Sequence, residues 1–281
     1  MTGSSCCRKH KGWITMNNDK SMPLTESARE AFSPSWEGKI TRLQTVASTQ
    51  EEAKRLAEQG APEGTVVMAE EQTGGRGRMG RKWHSPPGKG IWMSVVLRPE
   101  LPLSLTPQLT LLAGVAVCRA IREVTGVQAG IKWPNDLLAG GRKICGILLE
   151  SCLREGGLHY CIAGIGISVN LKPEDYPAEL AGVGTSLLIE GGGIPVDRSR
   201  LAEAVLHELE YWYAVYMEKG FEPIRRRWEE MSVTLGREIL LSASEGKNGG
   251  TAVGLDDSGA LLLKDASGRV TAVLSGEIEM I

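Results

Sequence analysis

The chain has 281 residues, 42% of them hydrophobic, and a net charge of −2. That length and apolar share suit one large domain with a smaller companion, and the near-neutral balance excludes a general nucleic-acid or polyanion binder. No apolar run approaches the roughly 20 residues that cross a bilayer, and the N-terminus MTGSSCCRKHKGW lacks the apolar stretch of a secretory signal.

Residues 1–35 are polar and irregular, and read as a flexible extension with a short helix around Glu26–Phe32. A strand at Lys39–Leu43 follows. Ser48-Thr49-Gln50-Glu51 reads as a capping box in which Ser and Glu satisfy each other's free backbone donors. It opens a helix to about Glu58, with Ala53, Leu56 and Ala57 inward and Gly60 as the stop. Strands are expected at Thr65–Glu70 and Ile91–Arg98. Between them Gln72–Gly90 (QTGGRGRMGRKWHSPPGKG) sets three arginines and two lysines among glycines, with no acid. Glycine lets a backbone approach a ligand, and arginines with free N–H groups make an anion site. The alternative is a disordered basic surface loop.

Thr106-Pro107 opens a helix from Gln108 to about Val124 that is apolar almost all round, so deep burial is expected. A strand at Gln128–Trp133 leads into Pro134-Asn135-Asp136. Leu137–Ala139 and Lys143–Ser151 flank a hairpin turn at Gly140-Gly141. His159–Asn170 is a further strand, and its Gly164 and Gly166 share a face. They mark either the approach of a ligand or a bulge. Lys143, beside Gly146, either meets an anionic ligand or guards an exposed edge.

Leu201, Val205, Leu209, Trp212 and Tyr216 form the buried stripe of a helix starting near Asp197, and Phe221–Met231 is a shorter one. From about Gly236, REILLSA, GTAVGLDD, ALLLKDA and RVTAVLS are short strands of a small barrel or sandwich. The cysteines at 6, 7, 118, 145, 152 and 161 lack metal-binding spacing and read as free thiols in a reducing cytoplasm. The histidines are scattered, so no metal site is expected. The phosphate-loop, nucleophile-elbow and zinc-protease motifs are absent.

Three polar islands therefore carry the chemistry: Gly74-Gly75-Arg76-Gly77-Arg78-Met79-Gly80-Arg81-Lys82-Trp83 with Ser85-Pro86, then Lys132-Trp133-Pro134-Asn135-Asp136, then Lys143 through Gly146-Ile147-Leu148. In order and spacing, together with Ser48-Thr49, they resemble the biotin–protein ligase family over residues 38–281. The resemblance implies an α/β (α+β) fold. A class II synthetase-like catalytic domain of mixed sheet and helices would occupy residues 36–233, and an SH3-like β-barrel residues 234–281. It implies activation of biotin by ATP as biotinyl-5′-adenylate, with Mg²⁺ as the ion and no tightly bound prosthetic group. The biotinyl group then passes to a lysine of a biotin carboxyl carrier domain.

Carried over from the family, Ser48, Thr49, Gln72, Gly75, Arg76, Gly146, Gly164 and Gly166 would form the biotin pocket, with Lys143 at the biotin carboxylate. Arg76, Arg78, Arg81, Trp83, Lys132, Asn135, Ser168 and Asn170 would hold ATP or the adenylate. Lys143, Arg78, Asn135 and Asp136 would act in catalysis. Trp83 and Trp133 would stack near adenine or serve as core aromatics. Two departures stand out. Met79 replaces a common arginine, and Ser168 replaces the asparagine of a G-[IL]-N-V-N pattern. A lipoate or octanoate ligase is the rival on the same fold, and an arginine–glycine nucleic-acid-binding module the rival of another class. Residues 1–35 are too short for a winged helix, so a monofunctional cytoplasmic enzyme without specific DNA or membrane binding is expected. The family also admits a homodimer.

Overall fold

The computed structural model describes residues 35–36, 39–154, 157–243 and 246–281. The expected helix at Glu26–Phe32, the flexible extension, Cys6 and Cys7 lie outside the described residues.

Strand β1 (Ile40–Val46) leads into helix α1 (Thr49–Glu58) and strand β2 (Val66–Gln72), which lies parallel to β1. Ser48 caps α1 in an extended conformation, accepting from the Gln50 N–H at 3.3 Å. The reciprocal half of the predicted capping box does not form, because the Glu51 carboxylate turns to Arg76 instead. Strand β3 (Gly90–Leu97), long helix α2 (Thr106–Thr125), and strands β4 (Gly130–Lys132), β5 (Asp136–Ala139), β6 (Arg142–Arg154) and β7 (Gly157–Ser168) follow. They form a seven-stranded sheet ordered β1-β2-β3-β7-β6-β5-β4, antiparallel beyond the first pair.

Register places Gly166 between Trp92 and Gly146, and Gly164 between Ser94 and Leu148. These residues therefore share one face of the sheet. Helix α1 packs on that face, with Ala53 and Ala57 against Val67, Val96, Tyr160 and Ile162. The opposite face is covered by α2, whose Gly114 lies against Ile131, and by helix α3 (Arg198–Lys219), which packs along α2. The helices thus divide between the two faces. The short β1–α1–β2 crossover drops α1 onto the near face, where it covers part of the sheet and leaves the rest open.

Helix α2 is deeply buried, as its all-round apolar sequence leads one to expect. Leu103–Thr125 spans 23 residues and holds an 18-residue window of mean hydropathy 1.3, long and apolar enough to cross a membrane. It lies inside the protein, with 72% of that window buried. Its stripe meets the α3 stripe, where Leu201, Val205, Leu209 and Trp212 are all at most 2% exposed.

Helix α4 (Glu222–Met231) delivers the chain to a second, antiparallel sheet of strands β8 (Glu238–Ala243), β9 (Gly246–Leu255), β10 (Leu261–Lys264), β11 (Val270–Val273) and β12 (Glu277–Met280), ordered β11-β10-β9-β8-β12. The four segments read from the sequence miss β12, which returns to pair with β8. Gln108 of α2 donates to the Asp257 carbonyl at 2.8 Å and accepts from the Tyr216 hydroxyl at 2.5 Å, tying this sheet to the helices.

Candidate active site

The open part of the near face is a cleft of about 340 Å³ between α1, the Gln72–Gly90 loop and strands β3, β5, β6 and β7. Strand β7 runs along its floor as Gly164, Gly166 and Ser168. At about 3.3 Å per residue these positions step roughly 13 Å from end to end.

At the Gly164 end the lining is neutral and polar. The Gln72 side-chain carbonyl accepts from the Thr49 N–H at 2.9 Å and the Thr49 hydroxyl at 3.0 Å, while its amide donates to Ser85 at 3.0 Å. Thr49 Oγ1 lies 2.9 Å from Ser94 Oγ, and Ser94 donates to Gln50 Oε1 at 3.1 Å. Gln50 in turn donates to the Leu148 and Ile162 carbonyls. A Cβ on Gly164 would sit 2.4 Å from Gln50 Oε1. That glycine makes room for the network.

Mid-cleft the lining is cationic. Lys143 Nζ lies 2.6 Å from Asp136 Oδ1 and 5.2 Å from the centre of the Trp83 ring. Arg78 donates to Asn135 Oδ1 at 2.8 Å, and the Asn135 amide is held by the Ile147 carbonyl at 3.0 Å. Burial pulls the Arg78 guanidinium below its ordinary value, with Asp136 and Glu277 opposing the shift. Arg76 is ion-paired with Glu51, and Arg81 with Glu277 of β12. Asp136 is the one carboxylate among the described residues lining the cleft, against Arg76, Arg78, Arg81, Lys82, Lys132 and Lys143. Trp83 lies over Gly146 and Gly166, and a Cβ on Gly166 would come within 2.4 Å of its indole nitrogen.

The loop is an ordered turn. Its arms pair at Arg76 and Lys82, Gly77 N–H donates to the Arg81 carbonyl at 2.7 Å, and Trp83 N–H donates to the Gly75 carbonyl at 2.9 Å. Met79 at its tip has φ 56° and is 80% exposed. Asparagine and glycine favour that backbone region more than methionine does. His84 binds the Asp175 carbonyl at 2.8 Å, which is loop packing at the cleft wall.

In this lining the buried Trp83 Nε1 has no hydrogen-bond partner, while Asp136 Oδ1 is held by the Lys143 ion pair and the Tyr176 hydroxyl has Ser168 beside it. An unpaired buried donor costs free energy, and this one faces the cleft.

Most residues singled out from the sequence line this cleft: Ser48, Thr49, Gln72, Arg76, Arg78, Arg81, Trp83, Lys132, Asn135, Asp136, Lys143, Gly146, Gly164, Gly166 and Ser168. Two do not. A Cβ on Gly75 would come 2.7 Å from the Trp83 carbonyl and 2.8 Å from Ser85 Oγ, so that glycine packs the base of the loop. Asn170 spends its side-chain amide on the backbone of Val196, donating and accepting at 2.9 Å each. Trp133 is a core residue, 2% exposed. The sequence reading missed Gln50, Ser94 and Tyr176. A buried serine inside the apolar strand WMSVV was the available signal for Ser94. Nothing local marked Tyr176.

Residues 42–168 match the Biotin/lipoate A/B protein ligase family, and residues 234–280 match the biotin protein ligase C-terminal domain. Such matches place the chain in the biotin/lipoate protein ligase class. Within it, the chain is 46% identical to the bifunctional ligase/repressor BirA of Bacillus subtilis, over 84% of this chain and 72% of that protein. It is 35% identical to the biotin–[acetyl-CoA-carboxylase] ligase of Paracoccus denitrificans, over 79% and 92%. The biotin protein ligase of Aquifex aeolicus, solved in complex with biotin and ATP, superposes with a TM-score of 0.75 at 34% identity, covering 86% of this chain and 98% of that one. This chain belongs to the biotin protein ligase family.

Proposed function

We propose that this protein activates biotin with ATP as biotinyl-5′-adenylate and transfers the biotinyl group to a lysine of a biotin carboxyl carrier domain. The observation that carries the reading is the order of chemistries along one cleft. A neutral hydroxyl-and-amide cluster stands at one end and converging cations stand at its middle. A cyclic urea needs mixed donors and acceptors, which Thr49, Gln72 and Ser94 supply. A carboxylate and a triphosphate repel one another, and Lys143, Arg78 and Arg76 are placed to cancel that repulsion.

In the first step a biotin carboxylate oxygen attacks the α-phosphorus and pyrophosphate leaves. In the second, a lysine amine attacks the acyl carbon, loses a proton, and AMP leaves. Lys143 neutralises the carboxylate and the oxyanion that develops beside it. Arg78, braced by Asn135, holds the mixed anhydride and keeps water from it. Asp136 holds Lys143 in place and faces the entering amine.

Mg²⁺ would enter with the triphosphate. Among the described residues no group of three metal-ligating side chains occurs, and Asp136 alone in the cleft suits an ion that keeps waters and phosphate oxygens as its main ligands. Bound there, the ion would neutralise phosphate charge. The four described cysteines are free, which supports a reducing cytoplasm as the compartment.

The test is biotin-dependent ATP–pyrophosphate exchange with Mg²⁺, run beside lipoate, octanoate and no acid. Exchange with biotin alone is expected. Exchange with lipoate or octanoate instead would reassign the pocket, and none with any acid would defeat the reading.

A further inference from the structure

Lys143 stands where its sheet runs out. Strand β6 pairs with β7 only from Cys145 onward, and β7 ends at Ser168. On the β5 side the register slips between Lys143 and Cys145, which face Leu138 and Leu137. Such a slip leaves one residue of the strand unpaired and re-aims its neighbours. A segment from outside the sheet takes the place of β7 beside Lys143. Lys143 N–H donates to the Val183 carbonyl, and the Lys143 carbonyl accepts from the Thr185 N–H, each at 2.9 Å. The two stretches thus pair in parallel around Gly184. That segment needs an anchor, because Val183 is 61% exposed and Gly182 is exposed beside it. Glu190 supplies one. Ser186 caps a helical turn, Leu187–Glu190, which brings the Glu190 carboxylate back to the start of β6. One oxygen, Oε1, accepts from the Thr185 hydroxyl at 2.6 Å and from the Arg142 guanidinium at 2.7 Å. The Glu190 side chain is 15% exposed, so both bonds lie largely out of water. Gly140 leaves it room, since a Cβ there would come 2.6 Å from Oε2.

We infer that Glu190 is a positioning residue for Lys143. Through Thr185 and Arg142 it holds the segment that fixes the Lys143 backbone, and so sets where the ammonium meets the ligand's carboxylate. The inference rests on the ligase reading, which puts that carboxylate at Lys143. Glu190 is not among the residues lining the cleft, whereas Lys143, Val183 and Gly184 are. It therefore acts on the ligand through them. At its far end Lys143 is held by Asp136 and the Trp83 ring. A flexible four-carbon stem can keep those partners while its root moves, and the ammonium then meets the ligand along a different line. A misplacement of about 1 Å at a reacting centre can cost about 10²-fold in rate. Without the Glu190 carboxylate, Thr185 and Arg142 would lose the oxygen they share, and the segment would lose its side-chain tie to β6.

The experiment is calorimetry on the full chain with two ligands, biotin and the alcohol in which its carboxylate is reduced to a neutral hydroxymethyl group. Both carry the same urea ring, so the ratio of their affinities reads the cation that meets the carboxylate. The wild type is expected to prefer biotin by about 10- to 100-fold, the worth of a hydrogen bond to a charged group, and Lys143→Ala to remove most of that preference. Glu190→Ala lowers the preference by about 5- to 10-fold while affinity for the alcohol holds. Glu190→Gln keeps an acceptor for Thr185 and Arg142 and restores most of the preference. In the Lys143→Ala background Glu190→Ala has no further effect on the ratio, since residues acting as one unit do not add. If Glu190→Ala does not fold, Thr185→Val serves instead, and lowers the preference in the same sense. Equal weakening of both ligands, an unchanged preference, or the same loss with Lys143 already removed overturns the inference. A wild type that binds biotin no better than the alcohol overturns it too, and leaves the urea pocket intact. Binding of neither ligand by the wild type overturns the ligase reading, and the positioning role with it.

Discussion

Single atoms decide the character of this site. Lys143 is placed by its ion pair with Asp136 and by the Trp83 ring beneath it, and in the proposed reaction it is the cation that meets the carboxylate. Lys143→Ala is expected to lower biotin-dependent exchange by about 10²–10³-fold, and near-normal turnover would remove it from the mechanism. Gly166 has no left-handed backbone to protect, and its need is space alone. Gly166→Ala must displace the indole 2.4 Å away, at about 1–3 kcal/mol of strain, readable as a fall in melting temperature together with weaker biotin binding. Residue types that chemistry makes conspicuous, such as the arginines, Lys143 and the paired glycines, were legible in the sequence. Gln50 and Ser94 were not, because their role depends on a register that puts β3 beside β7 and α1 above both. Asn170 misled for the same reason in reverse. Alternation would put it on the floor, but β7 ends at Ser168 and the Asn170 amide turns to the Val196 backbone.

At the scale of elements, the sequence placed nearly every helix and strand, since periodicity and caps are local. It could not show where Glu51 would turn, because the competitor for its carboxylate, Arg76, lies across a loop. That loop's arginines are held by partners that a bound anion would displace. Amide exchange over residues 74–82 is therefore expected to slow when biotin and ATP are both present, and an unchanged pattern would mean that the loop does not close over the ligand. Arg78 carries the link from this loop to the Asn135 turn. Arg78→Gly should release adenylate into solution, seen as biotin on bystander lysines, and retention of the intermediate by that variant would deny it the role of a clasp.

Across the whole molecule, burial sorts the thiols. Burial pushes the Cys118 thiol up to about 11 and Cys145 higher still, so at pH 8 neither holds a useful fraction of thiolate. Of the described cysteines, only Cys152 lies outside the buried class. A disulfide-exchange reagent should label Cys152 quickly in the native protein and reach Cys118 and Cys145 only on unfolding. The loop is also not the property of one sheet. Arg81 reaches Glu277 on the last strand, and Arg76 and Lys143 likewise hold carboxylates of their own. An arriving nucleotide therefore trades places with carboxylates already in position, and the cleft does not meet it as a field of bare positive charge. Added electrolyte weakens the old pairs and the new ones together. Affinity for ATP should accordingly decline only gently with ionic strength, far less than six cations around one ligand would suggest, and the enzyme would hold its nucleotide much the same in dilute and in salty surroundings.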